Sequence, residues 1–347
     1  MSSCCFRRFF FSKLHSNVLI RPINHVVNYQ LIRRPSSSSP ILTEKRGAIL
    51  LITINRPEKR NCINRESADL LTKAFKELDT DPDVQVGILA GKGGTFCAGY
   101  DLKELASLPE YVEENGANQT EEDQKMAVEG EAPIEGKAPK QMLLNKFIRP
   151  APMGPSHLVT KKPTIAAIDG YAVAGGLELA LLCDLRVVEE TAVLGVFCRR
   201  FGVPLIDGGT VRLPKIIGLG RALDLILTGR PIDGKEASAI GLATLSVQTG
   251  CCLGQAINLA TSLVKFNQEC LQADRDSVYN SVFNAHSQQE ALEFEFERGK
   301  RIIMSASVKG ANLFVKQGLG KHGKFGFDPL EDLMKIGTKG RSKLLDE

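Results

Sequence analysis

Lys162-Pro-Thr-Ile-Ala-Ala-Ile-Asp-Gly-Tyr-Ala-Val-Ala-Gly-Gly-Leu-Glu-Leu-Ala-Leu-Leu-Cys-Asp-Leu-Arg186 is the stretch that decides the fold. Residues 164–168 form a short apolar run rich in β-formers and end at the turn pair Asp169-Gly170, so they predict a strand. Ala174-Gly175-Gly176 then opens a helix predicted over 177–182. If that helix starts at Gly175, its N–H is one of the unpaired first-turn donors, and Glu178, three residues on, lies on the same face.

Two earlier segments follow the same plan. Residues 48–54 (Ala-Ile-Leu-Leu-Ile-Thr-Ile) predict the first strand, closed by Asn55-Arg56-Pro57. Asn64 can cap a helix running to about Asp79, on which Ala68, Leu71, Phe75 and Leu78 recur at three- and four-residue spacing. Residues 86–90 predict a second strand leading into Gly91-Lys-Gly-Gly-Thr-Phe-Cys-Ala-Gly-Tyr-Asp101, where Gly99 permits a tight turn and Asp101 can cap the next helix. Strands alternating with helices give an α/β domain.

Between these units the span 110–135 carries nine acids against Lys125 alone, so an insertion over about 108–160 predicts a mobile acidic surface loop. After residue 210 the chain turns helical, with amphipathic spacing over 254–266, 269–283 and 286–303. On the last of these, residues 293–297 mix charge with Phe294 and Phe296, which suits a helix packed between subunits or domains as well as a solvent face.

Residues 1–42 hold Arg7, Arg8, Lys13, Arg21, Arg33 and Arg34 and no acid, and they are serine-rich. That is the composition of a mitochondrial transit peptide, with a disordered basic tail as the alternative. The whole chain is only +4, so the remaining 305 residues are net −2, which argues against a nucleic-acid binder that relies on bulk positive charge. A body of that size, 43% hydrophobic and 24% charged over the full 347 residues, is ordinary globular composition, and no stretch nears the ~18 apolar residues of a membrane span. Nine cysteines with no C-x-x-C speak against a disulfide framework or a thiolate zinc site. Only His157, His286 and His322 lie in the body, too few and too scattered for a metal centre or a Ser-His-Asp triad. No metal or redox cofactor is called for.

The chemistry is expected where glycine-rich segments follow strands. Two convergent backbone N–H groups can stabilise a developing oxyanion, and an adjacent carboxylate can move a proton on the neighbouring carbon. A thioester forms such an enolate-like oxygen. The plainer alternative is that Gly175-Gly176 lets a helix pack closely and Glu178 complements its dipole.

Phe96-Cys-Ala-Gly-Tyr-Asp-Leu-Lys-Glu104, the 162–186 stretch and Gly202-Val-Pro-Leu-Ile-Asp-Gly-Gly-Thr-Val-Arg-Leu-Pro214 resemble the crotonase, or enoyl-CoA hydratase/isomerase, superfamily, over about residues 48–327. The resemblance implies a spiral of ββα units as core (43–265), a helical C-terminal region (266–347) capping the acyl site, and a homotrimer or dimer of trimers. It puts the oxyanion-hole amides on Tyr100 and Gly175. It lays 98–103, with Ala98, Tyr100, Asp101, Leu102 and Lys103, against the coenzyme A carried by an acyl-CoA thioester substrate. Glu178 matches the first of two glutamates used for water addition, and Cys198 stands at the position of the second. A thiol of pKa near 8.5 is a weaker proton-handling group than a carboxyl. Asp207 is then either the second catalytic carboxylate or an N-cap for a helix starting near Gly208. Arg199 and Arg200 either contact CoA phosphates or form a solvated or intersubunit pair. The expected activity is enoyl-CoA hydration in the mitochondrial matrix. The alternatives are a single-base isomerase or acyl-CoA hydrolase, and, more remotely, an RNA-binding or non-catalytic relative.

Overall fold

The computed structural model describes residues 39–107 and 151–317. The basic leader to residue 38, most of the acidic insertion and the chain beyond 317 lie outside the described residues.

In chain order the strands are β1 (Ile41–Arg46), β2 (Ile49–Ile54), β3 (Val86–Gly91), β4 (Thr164–Ile168), β5 (Tyr171–Val173), β6 (Leu185–Glu189), β7 (Val193–Gly195), β8 (Ile232–Asp233) and β9 (Leu245–Val247). The helices are α1 (Arg65–Thr80), α2 (Leu102–Ala106), α3 (Gly175–Leu182), α4 (Gly209–Ile217), α5 (Leu219–Thr228), α6 (Gly234–Ala239), α7 (Cys252–Val264), α8 (Gln268–Phe283), α9 (Gln288–Ile302) and α10 (Val308–Gln317). Asn64 caps α1, its side chain accepting from the Ser67 N–H, and Asp101 caps α2 through the Lys103 N–H, both as expected.

A six-stranded sheet in the order β1-β2-β3-β4-β6-β9 forms the centre, parallel except for the β1–β2 hairpin. Its middle strands are buried on both faces, which is why they read as continuous apolar runs rather than alternating ones. Leu50, Ile52, Leu89, Ala166 and Val188 point into one core with α1 and α3, while Leu51, Ile88, Ile165, Ala167 and Val187 point the other way, against α7. β1 was not expected, the first strand having been read from Ala48. It begins at Ile41, inside the residues assigned to the leader, and its Glu44, Lys45 and Arg46 face outward as an edge strand allows.

A second, smaller sheet (β5-β7-β8) is extended by two isolated bridges, Ile63 with Tyr100 and Cys97 with Ala172. Each long strand is therefore followed by a short extended piece in this second layer and then a helix or turn. This is the ββα spiral, with the first two short strands reduced to single bridges. Tyr100 and Gly175 each stand where the chain leaves that layer for a helix.

The insertion expectation fails at its C-terminal end. Ala151 to Ser156 are buried, Met153 and Ser156 completely so, and a 3-10 turn spans Pro155–His157. The C-terminal region is helical, but no residue beyond Asp207 lines the cavity that holds Glu178, so among the described residues these helices do not cap it. Arg275 and Tyr279 of α8 instead bond to Asp184 Oδ1, each at 2.8 Å.

Two adjacent glycines at the start of α3 predict different outcomes. A Cβ on Gly175 would meet the flexible tip of Met153 at 2.6 Å, whereas one on Gly176 would stand 2.1 Å from the Cys97 carbonyl, which is backbone and cannot yield. Gly176→Ala therefore lowers the melting temperature more than Gly175→Ala does. Equal losses would show that the inter-layer contact is not rigid.

Candidate active site

A cavity of about 590 Å³ opens where the two layers meet, walled mainly by apolar side chains such as Leu102, Leu105, Met153, Phe197, Val203 and Ile206. Glu178 projects into it from the first turn of α3 and is buried, at 3% exposure. Its Oε1 accepts the Asp207 N–H at 3.0 Å and the Gly209 N–H at 2.8 Å. No other described group donates to Glu178, so Oε2 is the oxygen left for a ligand. Burial raises its pKa from 4.5 to about 7, and the neighbouring Asp207 charge pushes the same way, against the two amides. A carboxylate with a pKa at the operating pH can both take and return a proton.

Tyr100 and Gly175 line the same cavity. Their backbones are held together because Gly99 adopts φ +100°, and a Cβ there would lie 3.2 Å from the Gly175 nitrogen and 3.0 Å from the Ala174 Cβ. Ala174 itself takes φ +52° and ψ −128°, a costly conformation for a residue with a side chain. Its N–H donates to the Gly195 carbonyl at 2.9 Å, which fixes the chain as α3 begins. The Gly175 N–H opens that helix and has no intrahelical acceptor.

The site residues expected from sequence separate into two groups. Ala98, Tyr100, Leu102, Gly175, Glu178, Cys198 and Asp207 all border the cavity. Asp101 and Lys103 do not: Asp101 is committed to Arg56 at 3.1 Å and to its capping bond, and Lys103 is exposed. Arg199 and Arg200 also lie off the cavity wall, bonded to the carbonyls of Ile226 and Gly229, each at 3.4 Å, with Arg200 stacked over Phe197.

Asp207 is not an N-cap; Gly208 occupies that position of α4, without a side-chain bond. The Asp207 Oδ1 accepts the Met153 N–H at 3.0 Å and the Ser156 hydroxyl, so the carboxylate ties the buried 151–156 segment to the loop before α4. Its own pKa is raised by burial, which outweighs those two donors. Arg212 braces the other side, donating to the Asp207 carbonyl at 3.1 Å and the Ser156 carbonyl at 2.6 Å. Burial keeps the Cys198 thiol above its ordinary pKa, with the Glu178 charge adding to the effect, so it stays protonated at neutral pH. Met153, Ser156 and Arg212 were not singled out from sequence. Pairing of Asp207 with a segment 54 residues earlier leaves no local signal.

The family model for enoyl-CoA hydratase/isomerase matches residues 44–134 and 156–319. A probable enoyl-CoA hydratase, EchA8, of Mycobacterium leprae is 33% identical over 241 residues, 70% of this chain and 81% of that one. Human mitochondrial methylglutaconyl-CoA hydratase is 36% identical over 202 residues, 58% of this chain and 51% of that one. Among solved structures, the enoyl-CoA hydratase EchA1 of Mycobacterium marinum superposes with a TM-score of 0.65 at 31% identity, covering 80% of this chain and 96% of its own.

The raised pKa of Glu178 carries a stability consequence. Between pH 4.5 and about 7 the folded state keeps a proton that the unfolded chain has released, so stability from this group falls as pH rises through that window. Glu178→Gln keeps an acceptor for the Asp207 and Gly209 amides and removes the buried charge. At pH 8 the variant unfolds with roughly 1–3 kcal/mol more stability than the parent, a gain that vanishes near pH 4.5, while turnover is lost. Melting curves at the two pH values check it, and a variant no more stable at pH 8 would contradict the buried-charge assignment.

Proposed function

The chain belongs to the enoyl-CoA hydratase/isomerase family, and on that premise we propose that it adds water to a 2-enoyl-CoA to give the 3-hydroxyacyl-CoA. The observation that carries this reading is Glu178, which borders the cavity beside Gly175 with one carboxylate oxygen pinned by two amides and the other free of described donors. The thioester oxygen is held by the N–H groups of Tyr100 and Gly175. Ionised Glu178 takes a proton from the water that attacks the β-carbon, and the charge that develops moves to the thioester oxygen. The α-carbon then receives a proton.

Asp207 is the second carboxyl that this step calls for. It borders the cavity, its side-chain bonds to Met153 and Ser156 both fall on Oδ1, and burial raises its pKa above the ordinary carboxylate value. Cys198, held neutral, is a poor base and contributes shape rather than charge. One observation favours a second reading: with a thiol where the family's hydratases carry a glutamate, Glu178 alone can relay a proton, as in a double-bond isomerase or a thioester hydrolase.

The reading extends to setting. A homotrimer or dimer of trimers is supported by apolar side chains left exposed on α9 and α10, among them Phe296 at 65% and Val315 at 70%. A matrix location is supported by the basic, acid-free leader. Deleting residues 1–38, which spares all of β1, leaves activity intact and abolishes mitochondrial import of a fluorescent fusion; import that persists without the leader would remove the assignment.

The reaction is separated by assaying 2-enoyl-CoA hydration, 3-enoyl-CoA isomerisation and CoA release side by side with two variants. Glu178→Gln loses about 10²–10⁴ in turnover in whichever reaction is native. Asp207→Asn loses a comparable factor in hydration. Full hydration by Asp207→Asn would leave Asp207 a structural tie and favour the single-base reading.

A further inference from the structure

Behind the catalytic loop lies a second cavity, of about 360 Å³, between α3, α4 and α8. Arg186, Arg212, Lys215 and Arg275 reach it, against one acid, Asp184. That acid is saturated: Oδ1 takes Arg275 and Tyr279, and Oδ2 takes the Thr164 N–H at 2.7 Å and its hydroxyl at 3.1 Å. The other three cations make no direct ion pair among the described residues, although the charges of Glu178 and Asp207 attract Arg212 from the front. Arg186 is the most unusual of them, at 6% exposure, its Nε and Nη1 donating only to the carbonyls of Leu242 and Cys183. Arg212 likewise bonds only carbonyls.

Burying a guanidinium without an anion is costly, and carbonyl dipoles offset only part of that cost. The opposite wall is apolar, with Leu181, Ile216, Val278, Val282 and Phe283. A bare inorganic anion would answer the cations and leave this wall wet. A neutral apolar molecule would do the reverse. We propose that this cavity is a binding site for a small amphiphile with an anionic head and an apolar tail, a fatty-acid-like carboxylate, its head at Arg186, Arg212 and Lys215 and its tail against Val278, Val282 and Phe283. The site is separate from the acyl-CoA cavity, and Arg212 is the side chain that reaches from it to the Asp207 and Ser156 carbonyls. Occupancy at the rear cavity therefore acts on the brace of the catalytic loop.

Calorimetric titration of the intact protein with octanoate, octanol and inorganic phosphate tests this, each with and without saturating butyryl-CoA to fill the catalytic cavity. Octanoate binds, butyryl-CoA does not displace it, and octanol and phosphate bind at least about fivefold more weakly. Lys215→Glu, an exposed position, weakens octanoate at least about fivefold without changing the melting temperature of the unliganded protein. Arg186→Gln abolishes octanoate binding; if that variant fails to fold, Lys215→Glu decides alone. Displacement by butyryl-CoA would place the octanoate in the catalytic cavity, and phosphate binding as well as octanoate would reduce the site to an adventitious ion only. Failure of octanoate to bind the assembled protein would mean that a second copy covers the cavity. Each of these three results overturns the proposal. None of them bears on hydration by Glu178, which the separate assay decides.

Discussion

The closeness of two backbone segments governs the rest of the molecule. The Cys97 N–H donates to the Tyr171 carbonyl at 2.8 Å, and the Val173 N–H donates back to the Cys97 carbonyl at 3.1 Å. These bonds join two successive ββα units in the second layer and set the distance between the turns that follow them. The approach is tight enough that no side chain fits at Gly176. The oxyanion hole proposed for the Tyr100 and Gly175 amides requires such closeness, because amides cannot reach as side chains do. The strained Ala174 between them is kept in place by its own bond to Gly195 and by the buried packing of α3.

Once that frame is set, the charges sort themselves by burial and partner. Glu178 on α3 is tied to the loop before α4 by the Asp207 amide, which binds its carboxylate, and both carboxyls lie in low-dielectric surroundings that disfavour ionisation. Their partners differ. Glu178 Oε1 takes two rigid main-chain amides, while Asp207 Oδ1 takes an amide and a rotatable hydroxyl from a distant segment. Two carboxyls in one cavity with different partners can differ in their readiness to ionise, which is the condition an acid–base pair requires. A neutral Cys198 beside them leaves that division undisturbed, where a third carboxyl would add a like charge.

Much of this was legible in the chain, and what was missed shares a cause. β2, β3, β4, α1 and α3 declare themselves through apolar runs, periodicity and caps, which are local properties. β1 was passed over because an edge strand keeps one polar face, and its Glu44-Lys45-Arg46 reads as surface. β5 is three residues long with Tyr171 exposed, below the length at which a pattern exists. The segment 151–156 has the proline and glycine of a loop yet is buried, because Asp207 and Arg212 supply the hydrogen bonds that a buried loop otherwise lacks. Those partners are more than fifty residues away in sequence, so composition alone assigns the segment to the surface. Asp207 itself was offered as a cap or a catalytic carboxyl, and only the tertiary pairing rejects the cap.

Arg212 shows how one side chain can serve two cavities. On α4 it lines the rear cavity, while its two Nη groups hold the carbonyls of Asp207 and Ser156. Burial disfavours its charged form, and the attraction of Glu178 and Asp207 works against that loss. A group so placed stabilises the ionised state of Glu178 from behind, without lining the cavity that holds it. Since Glu178 titrates near neutral pH, a modest change in the field that Arg212 exerts moves the fraction of enzyme in the base form more than it would for a carboxylate of ordinary pKa. The dependence of the Glu178 charge on Arg212 follows from the same burial that brings its pKa to about 7.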